Sequence, residues 1–285
     1  MAAPRAAPEG RLISSPNTMR SLAELMSLQG RTALITGGAG HIGLAFGEAL
    51  AELGAAVAVW DLHPEKTEGA AEHLRSRHGG AALAVPVDLA KDESLRTSCE
   101  TTLAWRGGLD ILVHCAAFVG TSNLQGWATD FARQTVETWR KAVDVNLTVP
   151  FALTQLCTPA LRKSGRGSVI NVASIYGLVA PQYHLYEGTS MGNPAAYSAS
   201  KGGLLQLTRW LSSTLAPEIR VNAITPGGVE RGQPESFQQK YTAGTPLRRM
   251  ATEEDFKGAV AYLASDLSAY VTGQNIVVDG GWTAC

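Results

Sequence analysis

Tyr197 and Lys201 stand four residues apart in the stretch Pro194-Ala-Ala-Tyr197-Ser-Ala-Ser-Lys201-Gly-Gly203. Four residues is one helical turn, so a helix here presents both side chains on one face. A phenol beside an ammonium is a proton-transfer pair, because the positive charge favours phenolate over phenol. Moving a phenol from a pKa of about 10 to about 7 takes roughly 4 kcal/mol of differential stabilisation. One exposed lysine does not supply that; a lysine, a cationic ligand and a sheltered site do so together. The same spacing recurs by chance in many helices, so the neighbouring elements decide its meaning.

The first of those elements is a buried strand over Arg31-Thr-Ala-Leu-Ile-Thr36, running into Gly37-Gly38-Ala39-Gly40-His41-Ile42-Gly43 and a helical apolar spacing from Leu44 to Leu53. Strand, glycine-rich turn and helix form the context of a dinucleotide-binding loop. Glycines allow the tight turn and the close approach of a pyrophosphate, and the helix start supplies free N–H groups. A second strand, Ala55 to Trp60, ends in Asp61-Leu62, 24 residues after Gly37. An acidic residue at that distance accepts hydrogen bonds from ribose hydroxyls and repels a 2′-phosphate, so NAD is favoured over NADP. A third strand, 82–87, ends in Asp88-Leu89, where the carboxylate meets the adenine edge or caps the helix starting near Lys91.

A fourth strand over 109–113 leads into His114-Cys115-Ala116-Ala117, whose small residues let a ring or ribose lie close to the strand end. His114 reads equally well as a satisfied structural histidine. A helix from about Val136 carries Asn146 within an apolar face, a polar group suited to bracing a kink or holding a water near Lys201. The fifth strand, 168–174, ends in Ser174. In an open parallel sheet that edge is where ligands sit, and a serine there donates to a carbonyl.

Together these residues make the chain similar to short-chain dehydrogenases/reductases, over about residues 28 to 283. The resemblance rests on the glycine-rich turn, Asp61, Asp88-Leu89, Asn146, Ser174, Tyr197-x-x-x-Lys201, Pro226-Gly227 and Val278-Asp-Gly-Gly281. It implies a catalytic set in which Tyr197 is the acid/base and Ser174 orients the substrate oxygen. Lys201 would hold the nicotinamide ribose and lower the tyrosine pKa, and Asn146 would hold a relay water. It implies cofactor contacts from Gly37, Gly40, His41, Ile42, Gly43, Asp61, Leu62, Asp88, Leu89, Cys115, Ala116, Ala117, Pro226, Gly227 and Val229. Three departures stand out. His41 takes a glycine's place in the turn, His114-Cys-Ala-Ala replaces the usual Asn-Asn-Ala-Gly, and Ser174 lies 23 residues before Tyr197, about ten more than is usual. The added residues include Tyr176, His184, Tyr186 and Glu187, expected to wall the substrate pocket and to suit a sugar, amino sugar or polyol. In this the chain resembles members linked with bacterial surface-sugar and flagellin-glycan pathways. A 3-oxoacyl-thioester reductase and a non-catalytic NAD-binding protein are the alternatives. The family's usual threonine after Pro226-Gly227 is absent, with Glu230-Arg231 near its place. Residues 230–250, holding Pro234 and Pro246, read as a mobile substrate lid. The resemblance also implies a homo-oligomer, a dimer or homotetramer.

Composition agrees with a single doubly wound α/β domain built on a mainly parallel seven-stranded sheet. The 285 residues are 45% hydrophobic and 17% charged, with a net charge of -1 and no basic or acidic block, which argues against nucleic acid and anionic membranes as partners. Apolar runs are too short to span a bilayer. No metal is required by chemistry in which the cofactor carries the hydride. Cys99, Cys115, Cys157 and Cys285 show no CxxC pattern, which favours free thiols and a cytoplasmic location. Residues 1–28, small and proline-rich at the start, lack the apolar core of a secretion signal and read as a poorly ordered extension, with 29–285 as the folded domain.

Overall fold

In the computed structural model, residues 19–119, 122 and 124–285 are described. Seven strands form one sheet: β1 (Thr32–Thr36), β2 (Ala56–Asp61), β3 (Ala82–Pro86), β4 (Ile111–His114), β5 (Gly167–Val172), β6 (Ile219–Pro226) and β7 (Asn275–Val278). Their order is β3-β2-β1-β4-β5-β6-β7, and all six ladders are parallel. The order reverses between β1 and β4, and a crevice at such a switch point is where open α/β sheets take ligands.

The central strands are apolar on both faces because helices cover both. On β1, Ala33 and Ile35 join one core, with Phe46, Leu50, Val57, Val113 and Val260, while Leu34 faces the other, with Trp60, Leu112, Leu153 and Val221. The first layer is α2 (His41–Glu52), α3 (Pro64–His78) and α9 (Lys257–Ala264); the second is α4 (Asp92–Arg106), α6 (Val149–Ser164) and α7 (Ala195–Leu215). The sequence thus reads correctly as α/β and doubly wound.

Three departures from the sequence reading have local causes. Residues 19–28 belong to the folded body. Ser21 and Glu24 form a capping box that starts α1 (Leu22–Met26), Arg20 pairs with Asp266 at 2.7 Å, and Leu28 is fully buried. The remainder of the expected extension, residues 1–18, lies outside the described residues. Second, 230–250 contains α8 (Glu235–Gly244), anchored by Phe237 and Tyr241 one turn apart; two buried residues are too few to set a visible period. Third, α5 (Val136–Val143) passes into α6 through a π-helical turn at Asp144–Thr148, and Asn146 sits in it. Such turns favour functional positions because they free a side chain from the regular ladder.

Candidate active site

The glycine turn lies where β1 leaves the sheet. Gly37 has φ +67°, and a Cβ there would sit 2.8 Å from the Ala116 backbone. A Cβ on Gly43 would strike the Gly37 carbonyl oxygen. The turn can therefore close onto the Cys115–Ala116 strand end only because both residues lack side chains. Thr36 completes the junction: its hydroxyl accepts from the Cys115 and Ala116 amides at 3.2 and 3.3 Å. Gly40 caps α2, and the helix begins at His41, three residues earlier than the apolar spacing suggests. The amides of His41, Ile42 and Gly43 thus form its first turn, oriented for an anion. This shallow cradle, floored by backbone, fits a dinucleotide pyrophosphate.

Asp61 closes β2 beside that turn. Its carboxylate accepts from the Ala39 amide at 3.2 Å and the Leu62 amide at 2.8 Å, which fixes its orientation next to the space a ribose would take. The Leu62 side chain is exposed. Asp88 accepts from the Ala90 amide at 3.1 Å and pairs with Lys91 at 3.2 Å, so it holds its own turn, while Leu89 packs on the core. On the far side, Gly227 donates to the Val278 carbonyl at 2.9 Å, and Val229 bridges to Ala251.

Ser174 stands just beyond β5, and Tyr197 and Lys201 share one face of α7. Lys201 is buried, and its ammonium donates to the carbonyl of Val172, the last residue of β5, at 2.6 Å. That nitrogen lies 5.9 Å from the Tyr197 ring centre. Desolvation lowers the Lys201 pKa to about 8. Tyr197 is half-buried, and burial pushes its phenol above the ordinary value; the Ser174 hydroxyl hydrogen bond and the nearby Arg231 charge pull the other way without reversing it. A lysine-lowered phenol is therefore not the resting state of this chain: Lys201 spends its hydrogen bond on the backbone, and desolvation dominates.

Asn146 is almost completely buried. Its side-chain oxygen accepts from the Phe118 amide at 2.8 Å, and its amide donates to the Phe118 carbonyl at 3.1 Å and the Ser200 hydroxyl at 3.2 Å. These bonds tie the segment after Ala117 to α7. His114 is a structural residue. Its Nε2 shares a 2.9 Å hydrogen bond with Thr154, and burial holds its pKa down to about 3, so it stays neutral.

In the expected pocket wall, Tyr176 and Tyr186 come together, their hydroxyls 2.7 Å apart. Both lie near enough to Tyr197 for its charge to act on them, and burial raises both, Tyr186 to about 12 and Tyr176 further. His184 and Glu187 point away: both are exposed, and Lys240 bonds their carbonyls and pairs with the Glu187 carboxylate. The wall continues through residues the sequence reading did not single out. Tyr186 packs on Phe237 at 5.5 Å, Phe237 on Tyr241 at 5.9 Å, and Tyr241 stacks on Trp282 at 4.3 Å. Tyr241 also accepts from the Gly228 amide at 2.6 Å. The one-turn spacing of Phe237 and Tyr241, facing a C-terminal tryptophan, is the signal that could have found them.

Fold and site define an oxidoreductase of the doubly wound dinucleotide-binding class. A family model described as Enoyl-(Acyl carrier protein) reductase matches residues 37–283. The chain is 31% identical over 261 residues to the 3-oxoacyl-(acyl-carrier-protein) reductase FabG of Aquifex aeolicus, covering 90% of this chain and 98% of that one. It is 32% identical over 265 residues to the 2,5-dichloro-2,5-cyclohexadiene-1,4-diol dehydrogenase LinX of Sphingobium indicum, covering 90% and 97%. Among solved structures it matches a gluconate 5-dehydrogenase from Burkholderia cenocepacia in complex with NADP and tartrate, with TM-score 0.82, 29% identity and coverage of 92% and 99%. The chain belongs to the short-chain dehydrogenase/reductase family, enzymes that act on CH–OH groups with a nicotinamide dinucleotide.

Proposed function

We propose that the protein interconverts a secondary alcohol and a ketone on a sugar, amino sugar or polyol, with NAD(H) favoured over NADP(H). The observation that carries this reading is the meeting of Ser174, Tyr197 and Lys201 at the carboxyl edge of the sheet, beside the Gly37–Gly43 turn. The bound dinucleotide supplies the hydride acceptor or donor. Its pyrophosphate would rest on the His41–Gly43 amides, its adenosine ribose against Asp61, and its nicotinamide end near Cys115–Ala117, Pro226, Gly227 and Val229.

Within that frame the side chains divide the work. Ser174 donates a hydrogen bond to the substrate oxygen and fixes its distance from Tyr197. In reduction the Tyr197 phenol gives its proton to that oxygen; in oxidation the phenolate takes it back. Lys201 fixes the strand end through Val172 and would hold the nicotinamide ribose. Lys201, together with the positive ring that an oxidised cofactor would bring, would offset the desolvation that raises Tyr197 in the free protein. Asn146, with its amide committed to Phe118 and Ser200, is a positioning residue that keeps this edge in register.

The paired hydroxyls of Tyr176 and Tyr186 support a polyhydroxylated substrate, and the gluconate 5-dehydrogenase likeness points the same way. Reduction of a 3-oxoacyl thioester is the second reading, supported by the likeness to the Aquifex enzyme. Exposed Phe151 and Leu156 on α6 and Trp210 on α7 support a homo-oligomer. Among the described residues no helix is long and apolar enough to cross a membrane, and all four cysteines are free, which supports a cytoplasmic setting. The deciding experiment is a thermal-shift titration with NAD, NADH, NADP and NADPH, followed by NADH absorbance assays on sugars, polyols and an acetoacetyl thioester. Turnover of the thioester alone would defeat the sugar reading, and a shift with NADP(H) alone would defeat the Asp61 argument.

A further inference from the structure

One carboxylate spans the two sides of the cofactor cleft. Glu253, in the short turn before α9, places its Oε1 3.3 Å from Arg231 Nε and 3.6 Å from His41 Nδ1. His41 opens α2 on the phosphate-turn side; Arg231 belongs to the loop after β6 on the nicotinamide side. The Arg231 loop is shaped to hold this position. Its amide donates to Gln233 Oε1 at 2.7 Å, Gln233 donates back to the Val229 carbonyl at 2.6 Å, and Glu230 is pinned to Ala251 at 2.9 Å. The positive charge of Arg231 reaches the floor of the cleft, acting on both Tyr197 and Cys115. A guanidinium that shares a carboxylate oxygen with the first residue of the phosphate-turn helix stands within side-chain reach of an anion bound at that turn.

We propose that Arg231 is an anion receptor for the dinucleotide pyrophosphate, held in the free protein by Glu253, which competes with the cofactor for it. The proposal rests on the dinucleotide reading above. Arginine forks match phosphate oxygens in pairs, whereas the single Arg231–Glu253 contact is long and partly exposed, so exchange toward the cofactor is favourable. Glu253 then lowers cofactor affinity, and His41, 3.6 Å from the same oxygen, keeps the released carboxylate near the cleft mouth.

Dissociation constants for NADH, ADP-ribose and adenosine, measured calorimetrically on wild type, Arg231→Gln, Arg231→Lys and Glu253→Gln, test this without turnover. Arg231→Gln is expected to weaken NADH and ADP-ribose by about tenfold or more, with Arg231→Lys recovering part of the loss. Glu253→Gln is expected to tighten both by about threefold, and adenosine, lacking phosphate, to stay within about twofold for every variant. Ligand-free melting temperatures near wild type exclude misfolding as the cause. The proposal is overturned if Arg231→Gln leaves ADP-ribose unchanged, or weakens adenosine equally. An intact NADH affinity with a raised substrate KM would assign Arg231 to a substrate anion and also overturn it. Failure of wild type to bind any dinucleotide would overturn the underlying cofactor reading itself.

Discussion

Lys201 donates a hydrogen bond to the Val172 carbonyl, 2.6 Å away, and so joins the Tyr197 face of α7 to the end of β5. That placement is bought with desolvation: a buried ammonium whose pKa falls to about 8 destabilises the folded state wherever it is charged.

Lys201→Met should therefore stabilise the ligand-free protein near neutral pH. The folded-state pKa lies below the unfolded value of 10.5, so the lysine costs nothing well above pH 10.5, and the cost grows as pH falls toward 8 and stays constant below. The shift corresponds to about 3 kcal/mol, reduced by about 1 for the lost Val172 hydrogen bond. Urea unfolding should show the variant about 2 kcal/mol more stable at pH 7, with the gain nearly gone at pH 10. A pH-independent difference would contradict this account.

On the proposed role of Tyr197, Tyr197→Phe removes the proton carrier and little else. Turnover should drop by about a thousandfold or more, while the NADH dissociation constant stays within about twofold. Stopped-flow hydride transfer and a binding titration check both halves, and substantial residual turnover would remove Tyr197 from its assigned role.

Rates in the ketone-reducing direction should fall above about pH 8. Tyr197, raised by burial, remains protonated there, but Lys201 loses its charge through about pH 8 and with it the field that supports proton release. A kcat/KM profile flat to pH 10 would show that Lys201 keeps its proton in the working complex.

His114 makes the protein acid-sensitive. Its folded pKa of about 3 lies below the ordinary 6.5, so its contribution is complete above pH 6.5 and is lost as pH falls toward 3. His114→Asn, which keeps a polar partner for Thr154, should lose about 3 kcal/mol less stability than wild type between pH 6.5 and 4. Parallel acid titrations of the two proteins by circular dichroism would reveal no gap if the imidazole were not buried neutral.

On the proposed reading of Asp61, Asp61→Asn should narrow a preference for NAD. Removing the carboxylate takes away the repulsion of a 2′-phosphate and weakens the ribose contact, so the NAD-to-NADP ratio of kcat/KM should fall by about tenfold or more. An unchanged ratio would mean that another residue reads the ribose.

The sequence by itself determined the layers, the strands and the order in which chemistry-bearing residues arrive. Continuously apolar strands covered on both faces, a glycine turn between β1 and α2, and a tyrosine one turn before a lysine are local patterns, and local patterns survive folding. Ser174 and Asp61 were legible because each ends or follows a strand, and parallel strands bring their ends to one edge; Tyr197 was legible from its one-turn spacing to Lys201 on α7. What lay outside the sequence depended on partners far along the chain. Whether Lys201 faces Tyr197 or the Val172 carbonyl, and whether burial or charge wins at the phenol, is set by packing between α7 and β5. Tyr176 and Tyr186 meet while His184 and Glu187 turn outward because the added segment folds onto α8, whose own helix depends on Phe237 and Tyr241 finding Trp282. Arg231 and His41 sit 190 residues apart, and only the tertiary structure sets them on one carboxylate, because electrostatic contacts follow distance in space and not in sequence.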